Sequence, residues 1–325
     1  MNNRILGIAT SLMLGLTVGM AGAAEMIITS ETAPTHWKAL QMDALAKDIT
    51  ERSGGRIQAK TYHTTLFKGD KEAVEALGSG AVHMVWPNSD RLEAINPAYS
   101  VLGIPFTFKA AEMGRTEVQG ELTSLMSPLV EDRGIKVLGI ARATEAIFLS
   151  RAKISGLDDM KGKKIRVPGA ISAREMMEAL GASGISMAAS ELATSLAQGA
   201  IDAAFTSAGQ WPGMGTSVTK YGFQVADMHL GTYSIVIDKD WLEGLDQPDR
   251  EAVLSATADL MSRQWKEAAA NEAEVTAKMI SQGGEIVRLE GDATEPFRKA
   301  LEPMRQKYLA NYSELAAKVR AVMEH

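Results

Sequence analysis

The chain reads as an α/β protein built from two similar lobes, and three observations predict it. Strand and helix patterns alternate along the sequence from Met26 onward, the order expected when helices cover a sheet. About 300 residues remain once an apolar N-terminal leader is set aside, more than one compact core usually holds. One motif also recurs. Gly80-Ala81-Val82-His83-Met84-Val85-Trp86 and Gly199-Ala200-Ile201-Asp202-Ala203-Ala204-Phe205 each follow a helix and run Gly-Ala, β-branched residue, polar residue, two apolar residues, aromatic ring.

The elements follow in order. Arg4 is the only charge before Glu25, Ile5 to Met20 is apolar and small, and Ala21-Gly22-Ala23 offers a cleavage site. A membrane anchor is the competing reading, but the apolar run is short and ends in small residues. Residues 1–23 are therefore expected to be a cleaved export signal and the mature protein periplasmic. With no cysteine there is neither a lipid anchor on Cys nor a disulfide frame. Met26–Thr29 reads as a first strand. Thr32 or Thr35 caps a helix from His36 to Arg52, which Gly54-Gly55 ends. Arg56–Tyr62 is a strand, Lys71–Leu77 a short helix and Ala81–Trp86 an apolar strand. Ala110–Asp132 carries one long helical pattern, and Ile135–Ala141 is again a strand. In the second half, Ser172–Leu180 and Ser190–Gln198 read as helices, Asp202–Thr206 and Phe223–Val225 as strands. Pro248 to Ser281 is the longest helical pattern, with proline in its first turn and Gly283-Gly284 at its end, long enough to lie across both lobes. Phe297–Val322 adds helix at the C-terminus.

Charge and motifs exclude several function classes. The formal net charge is −6, and removing Arg4 with the leader makes it −7. A scattered acidic surface argues against nucleic-acid binding, which needs a basic patch. No metal-ligand spacing, nucleophile elbow, Walker loop or complete dinucleotide fingerprint occurs. His36, His63, His83, His229 and His325 are isolated and read as structural or solvated. No cofactor, metal or catalysis is expected.

The most informative run is Lys161-Gly162-Lys163-Lys164-Ile165-Arg166-Val167-Pro168, a turn feeding a short strand that Pro168 stops. Side chains alternate along a strand, so Ile165 and Val167 face one side and Arg166 the other. A half-buried guanidinium needs a planar anion. That anion is either an internal acid or a ligand carboxylate. Ligands of open α/β sheets sit beyond the carboxyl ends of strands. Trp86 and Phe205, at the ends of the two echoing strands, therefore either face a cleft between the lobes or fill their cores.

The same residues resemble a family: the periplasmic solute-binding proteins of tripartite ATP-independent periplasmic (TRAP) transporters, the DctP-like group. Asp159 to Pro168 is similar to the family's Asp-x-Lys-Gly-x-Lys-Ile/Leu-Arg-Val-Pro pattern. Lys68-Gly69-Asp70-Lys71-Glu72, Gly103-Ile104-Pro105-Phe106, Ala179-Leu180-Gly181-Ala182 and Leu196-Ala197-Gln198-Gly199-Ala200-Ile201-Asp202 support it. The resemblance covers nearly the whole mature chain. It implies a periplasmic-binding-protein-like fold: two α/β lobes joined by crossing strands, an interdomain cleft that closes on ligand, and a long helix along the back. The expected lobes are 24–143 with 231–270, and 144–230 with 271–325. The resemblance also implies that Arg166 grips a ligand carboxylate, that membrane permease subunits are the partners, and that an ion gradient drives uptake.

The chain departs from the family at several positions. Phe205 and Thr206 stand where a glutamate and an asparagine are common, Glu145 stands at or near a second arginine, and Asn88 stands where sugar-acid binders place a glutamate. A sialic-acid-type ligand is therefore not expected. Trp86, Phe205, Trp211 and Trp37 offer flat apolar walls, while Glu145 and Glu31 offer negative charge. Rings with a carboxylate suit a cationic amine. The candidate ligands are a zwitterion such as a compatible solute or amino acid, an aromatic or branched monocarboxylate, or a small amine with Arg166 neutralised by Glu145. Glu145 has the competing role of partner to Arg142 or Arg151, and Trp241 and Trp265 read as core. The expected function is capture of a small organic acid or zwitterion by a monomer for delivery to a permease. A ligand sensor for a receptor and a periplasmic enzyme are the alternatives.

Overall fold

The computed structural model describes residues 23–324, so the leader expected over residues 1–23 lies, but for Ala23, outside the described residues. In chain order the strands are β1 (Ala24–Ser30), β2 (Ile57–His63), β3 (Met84–Val85), β4 (Ile135–Glu145), β5 (Ile147–Ser150), β6 (Lys164–Val167), β7 (Ser183–Ser186), β8 (Ala203–Thr206), β9 (Tyr221–Val225), β10 (Leu230–Asp238) and β11 (Glu285–Leu289). The helices are α1 (Trp37–Arg52), α2 (Asp70–Glu75), α3 (Ala110–Met113), α4 (Thr116–Met126), α5 (Ile171–Ala179), α6 (Leu192–Ala197), α7 (Lys239–Gly244), α8 (Gln247–Ser281), α9 (Glu295–Asn311) and α10 (Ser313–Glu324).

Two sheets form, ordered β2-β1-β3-β10-β4 and β11-β9-β5-β8-β6-β7. In the first, β1 runs parallel to β2 and β3 while β10 is antiparallel to β3 and β4. In the second, β6 is parallel to β7 and β8 and β5 is antiparallel to β8 and β9. The chain crosses between sheets at Ala146, between β4 and β5, and returns through Ala226–His229 into β10. These two crossings place β4 and β10 side by side as the floor between the lobes.

The sequence pattern understated this floor. Every residue of β10 except Gly231 is buried, so its polar and apolar residues do not sort by face. A strand covered on both sides shows no alternation to read. Three other expectations are corrected. The pattern over Ala110–Asp132 splits into α3 and α4, because Gly114 caps the first and Pro128 stops the second at Met126. The strand expected over Ala81–Trp86 pairs only at Met84 and Val85. The C-terminal pattern breaks at Tyr312 into α9, which packs on α5, and α10, which packs on α4.

Helix α8 has 35 residues and is about 52 Å long at 1.5 Å per residue. Val253, Ala256, Leu260, Met261, Trp265 and Ala268 make a buried stripe at helical spacing. The helix packs on β4 and α1 of the first sheet and on the Ala208–Gly213 turn beside the second. It also satisfies the open edge of β4. Gln264, fully buried, accepts from the Arg142 N–H at 2.8 Å and donates to the Arg142 carbonyl at 2.7 Å. Glu272 accepts from Glu145 N (3.0 Å), Thr144 Oγ1 (2.8 Å) and the Arg142 guanidinium (2.8 Å). Among the described residues no helix is long and apolar enough to cross a membrane.

Gln264→Ala would strand both main-chain groups of Arg142 away from water. The expected loss is roughly 2–6 kcal/mol, from about 1–3 kcal/mol for each of the two unsatisfied buried groups. Denaturant unfolding of the variant checks it, and a loss below about 1 kcal/mol would show that water replaces the amide.

Candidate ligand-binding cleft

The site begins with Arg166 on β6. Lys164-Ile165-Arg166-Val167 alternates, so Ile165 and Val167 fill the core while Arg166 points the other way. Arg166 is only 2 % exposed and lines a cleft holding about 670 Å³, part of it open to solvent. Its Nε donates to the Met187 carbonyl at 2.9 Å and one terminal nitrogen reaches the Phe205 carbonyl at 3.5 Å. Among the described residues no carboxylate stands in ion-pair contact with it. Burial pulls its pKa down to about 10, Glu31 works against that shift, and Arg91 adds to it.

Both lobes and the floor supply the walls. Glu31, Lys38, Asn88 and Asp90 come from the first lobe, Phe205, Thr206 and Gln210 from the second, and Thr144, His229 and Tyr233 from the crossing segments. Behind the wall, charges pair off. Lys38 donates to Asp70 at 2.9 Å and to the Trp86 carbonyl at 2.8 Å, with its ammonium 4.7 Å from the Tyr233 ring centre. Arg91 holds both oxygens of Glu31, at 3.0 and 3.1 Å. Burial pushes Glu31 towards the neutral form, but Arg91, Arg166 and Lys38 together keep its carboxyl below the ordinary range. The Arg91 guanidinium fits because Gly169 has φ +119° and no Cβ; an added Cβ would lie 3.1 Å from it.

The lobes touch around the cleft. His36 accepts from Lys38 N at Nδ1, which leaves its proton on Nε2 to donate to Ser207 Oγ at 3.3 Å across the gap. Gly209 lies so near that ring that a Cβ there would be 2.8 Å from Nε2. Lys68 pairs with Glu191 at 3.2 Å. Glu93 accepts from the hydroxyl and the N–H of Ser172, in the first turn of α5.

Of the residues read from the sequence, Arg166, Phe205, Thr206, Asn88 and Glu31 are brought together in this cleft. The other four stand elsewhere. Glu145 is gripped by Arg288 through contacts of 3.0 and 3.1 Å and accepts from Asp227 N, so neither Arg142 nor Arg151 is its partner. Arg142 pairs with Glu272, and Arg151 reaches the carbonyl of Ala197 at the end of α6. Trp86 is fully buried in the core and offers the site only its carbonyl. Trp211 belongs to the second lobe's own core and donates to the Thr219 carbonyl. Trp37 is half-buried at the start of α1 and is not part of the cleft wall. Lys38 and Asp90 went unread. Lys38 had a signal, since it falls on the same helical face as Met42, Leu45 and Ile49, where a lone lysine demands a partner.

A two-lobed α/β receptor with its binding cleft at the crossing strands is the class this arrangement defines. The chain belongs to the bacterial extracellular solute-binding proteins, family 7 (DctP), whose model matches residues 28–311. It is 26 % identical over 339 aligned positions to the C4-dicarboxylate-binding periplasmic protein DctP of Rhodobacter capsulatus, covering 100 % of this chain and 91 % of that one. Among solved structures, a Bordetella pertussis extracytoplasmic solute receptor binding pyroglutamic acid superposes with a TM-score of 0.84 at 18 % identity, covering 93 % of this chain and 100 % of the other. A TRAP periplasmic solute-binding protein of Sulfurospirillum deleyianum with bound succinate gives 0.83 at 21 %, covering 93 % and 99 %. The protein is thus a solute-binding receptor of the TRAP type, a family of extracytoplasmic receptors rather than enzymes.

Burial sets an unusual pH balance. It pushes Glu93 up to about 7 and Asp90 to about 6, so the folded state takes up protons that the unfolded chain leaves in water, and stability from these groups rises as pH falls from about 7 towards 4. Burial also pulls His36 down to about 3 and His229 to about 4, so the unfolded chain takes up protons below about 6.5 and stability falls over the same window. The two effects oppose. Glu93→Gln removes one stabilising member, worth on the order of 2 kcal/mol. Its melting temperature relative to wild type should be highest at pH 8 and drop steadily to pH 5; a constant difference across pH would show that Glu93 titrates normally.

Proposed function

We propose that the protein is exported by its N-terminal leader to the periplasm, closes its lobes on one small organic acid or zwitterion, and delivers it to a TRAP membrane permease for ion-gradient-driven uptake. The observation that carries this is the Arg166 guanidinium, buried in the cleft wall with main-chain carbonyls as its hydrogen-bond partners and no acid in contact. A carboxylate presents two parallel acceptors to a guanidinium, and the pair is strong when water is excluded. Closure brings the ligand carboxylate to a charge that water would otherwise hydrate, so the closed state gains from the ligand what the open state does not. Phe205, its ring centre 5.3 Å from that of His229 and tilted to it, and Tyr233 supply flat surfaces for the rest of a small molecule.

That the named neighbours hold pyroglutamate and succinate, both carboxylates, agrees with this reading. A small amine bound with Arg166 neutralised by Glu145 is disfavoured, since that carboxylate is already engaged by Arg288. We place the lobes at 24–143 with 231–270 and at 144–230 with 271–325, near the crossings at Ala146 and His229, although α10 packs on α4 of the first lobe.

A thermal-shift screen of organic acids, amino acids and amines identifies binders, because a ligand of the folded state raises the melting temperature. For an acid found this way, Arg166→Ala should cost roughly 2–5 kcal/mol of binding, the range for truncating one member of a buried charge pair. Arg166→Lys should fall between, having charge without the planar fork. Calorimetric affinity unchanged in Arg166→Ala would reject the anchor role.

A further inference from the structure

We propose that Asp90 selects the ligand: the cleft takes a monocarboxylate that also carries a hydrogen-bond donor, hydroxyl or ammonium, and turns away a second carboxylate. The inference rests on Arg166 as the carboxylate anchor.

Charge pairing around the cleft leads to it. Three cations, Lys38, Arg91 and Arg166, stand with three acids, Glu31, Asp70 and Asp90, in or just behind the wall. Lys38 pairs with Asp70, and one terminal nitrogen of Arg91 pairs with Glu31, while Arg91 Nε is buried without a partner. Both acids are further engaged by each other's main chain, since Glu31 N donates to Asp70 and Asp70 N donates to Glu31, each at 2.9 Å. Arg166 and Asp90 are left over. Among the described residues neither forms an ion pair, and Oδ1 of Asp90 is buried without a hydrogen-bond partner. They line the same cleft from opposite lobes.

One cation and one acid without ion-pair partners, lining the same cleft, define a complementary guest. Its carboxylate meets Arg166, and its donor satisfies Asp90, whose unpaired charge is otherwise costly to bury. A diacid of the same length brings a second negative charge towards Asp90, while the neighbouring cations Lys38 and Arg91 already face the carboxylates of Asp70 and Glu31. Like charges at close range in a poorly hydrated site repel strongly. Asn88, Thr206 and Gln210 also border the cleft, but they are neutral and discriminate less sharply between hydroxyl and carboxylate.

Calorimetry at pH 7.5 on the full mature chain tests this with matched sets of three- to five-carbon acids, for example butyrate, 4-hydroxybutyrate, 4-aminobutyrate and succinate. The hydroxy or amino acid should bind at least tenfold more tightly than the diacid of its set. Asp90→Asn, and Asp90→Ser as a second folded variant, should narrow that ratio to under threefold, chiefly by admitting the diacid. The preference between hydroxy and amino acid identifies the donor. A wild-type protein that binds the diacid as tightly as its partners overturns the role of Asp90 and leaves Arg166 as anchor intact. So does an unchanged ratio in the folded variants. A protein that binds no carboxylate at all removes the anchor, and this inference with it.

Discussion

Arg166 carries a full positive charge at a position 2 % exposed to solvent, and its immediate partners are two carbonyls. Carbonyl dipoles soften the cost of burying a guanidinium without cancelling its charge. Everything near it is arranged so that no internal acid closes the gap. The carboxylates that lie within electrostatic reach either answer another cation, as Glu31 answers Arg91, or stand apart, as Asp90 does. The pairing of Lys38 with Asp70 and Arg91 with Glu31 turns those acids towards other cations and leaves Arg166 without an acid in contact.

Two of the contacts between the lobes are weak, whereas Glu93 with Ser172 is a buried pair of hydrogen bonds. Lys68 and Glu191 are a surface pair, with side chains 68 % and 40 % exposed, and such pairs contribute little. His36 to Ser207 is a single long hydrogen bond between neutral groups. A ligand between two lobes shifts an equilibrium between their arrangements only by its differential affinity for the two states.

The sequence disclosed the frame better than the site. Strand β6, helix α8 and the second lobe's Phe205 and Thr206 were legible because each depends on local pattern: alternation, apolar spacing, or a residue at the carboxyl end of a strand. Trp86 and Phe205 close echoing motifs, yet only Phe205 reaches the cleft. Strand β3 is two residues long and flanked by turns, so the register that would aim Trp86 is set by β1 and β10 rather than by its own segment. Glu145 could not be assigned because its partner, Arg288, is 143 residues away on β11. The Arg91–Glu31 and Lys38–Asp70 pairs are equally non-local, at separations of 60 and 32 residues. Charge pairing of this kind is a property of topology, and one sequence shows the charges without the partners.

Topology also links the floor of the cleft to the spine. Ala143, Thr144 and Ala146 line the cleft, and they belong to the stretch where β4 leaves the first sheet for the second. An edge strand exposes unpaired main-chain groups that invite distortion or foreign pairing. Here Gln264 and Glu272 of α8 occupy those groups at Arg142 and Glu145. Eight residues separate the two side chains, a little over two helical turns, so a rigid rod is fixed at two points to the crossing segment. Bending at that segment must move α8 or break buried hydrogen bonds. The ties to α8 thereby reach as far as Glu145, and Ala146, the next residue, lines the cleft.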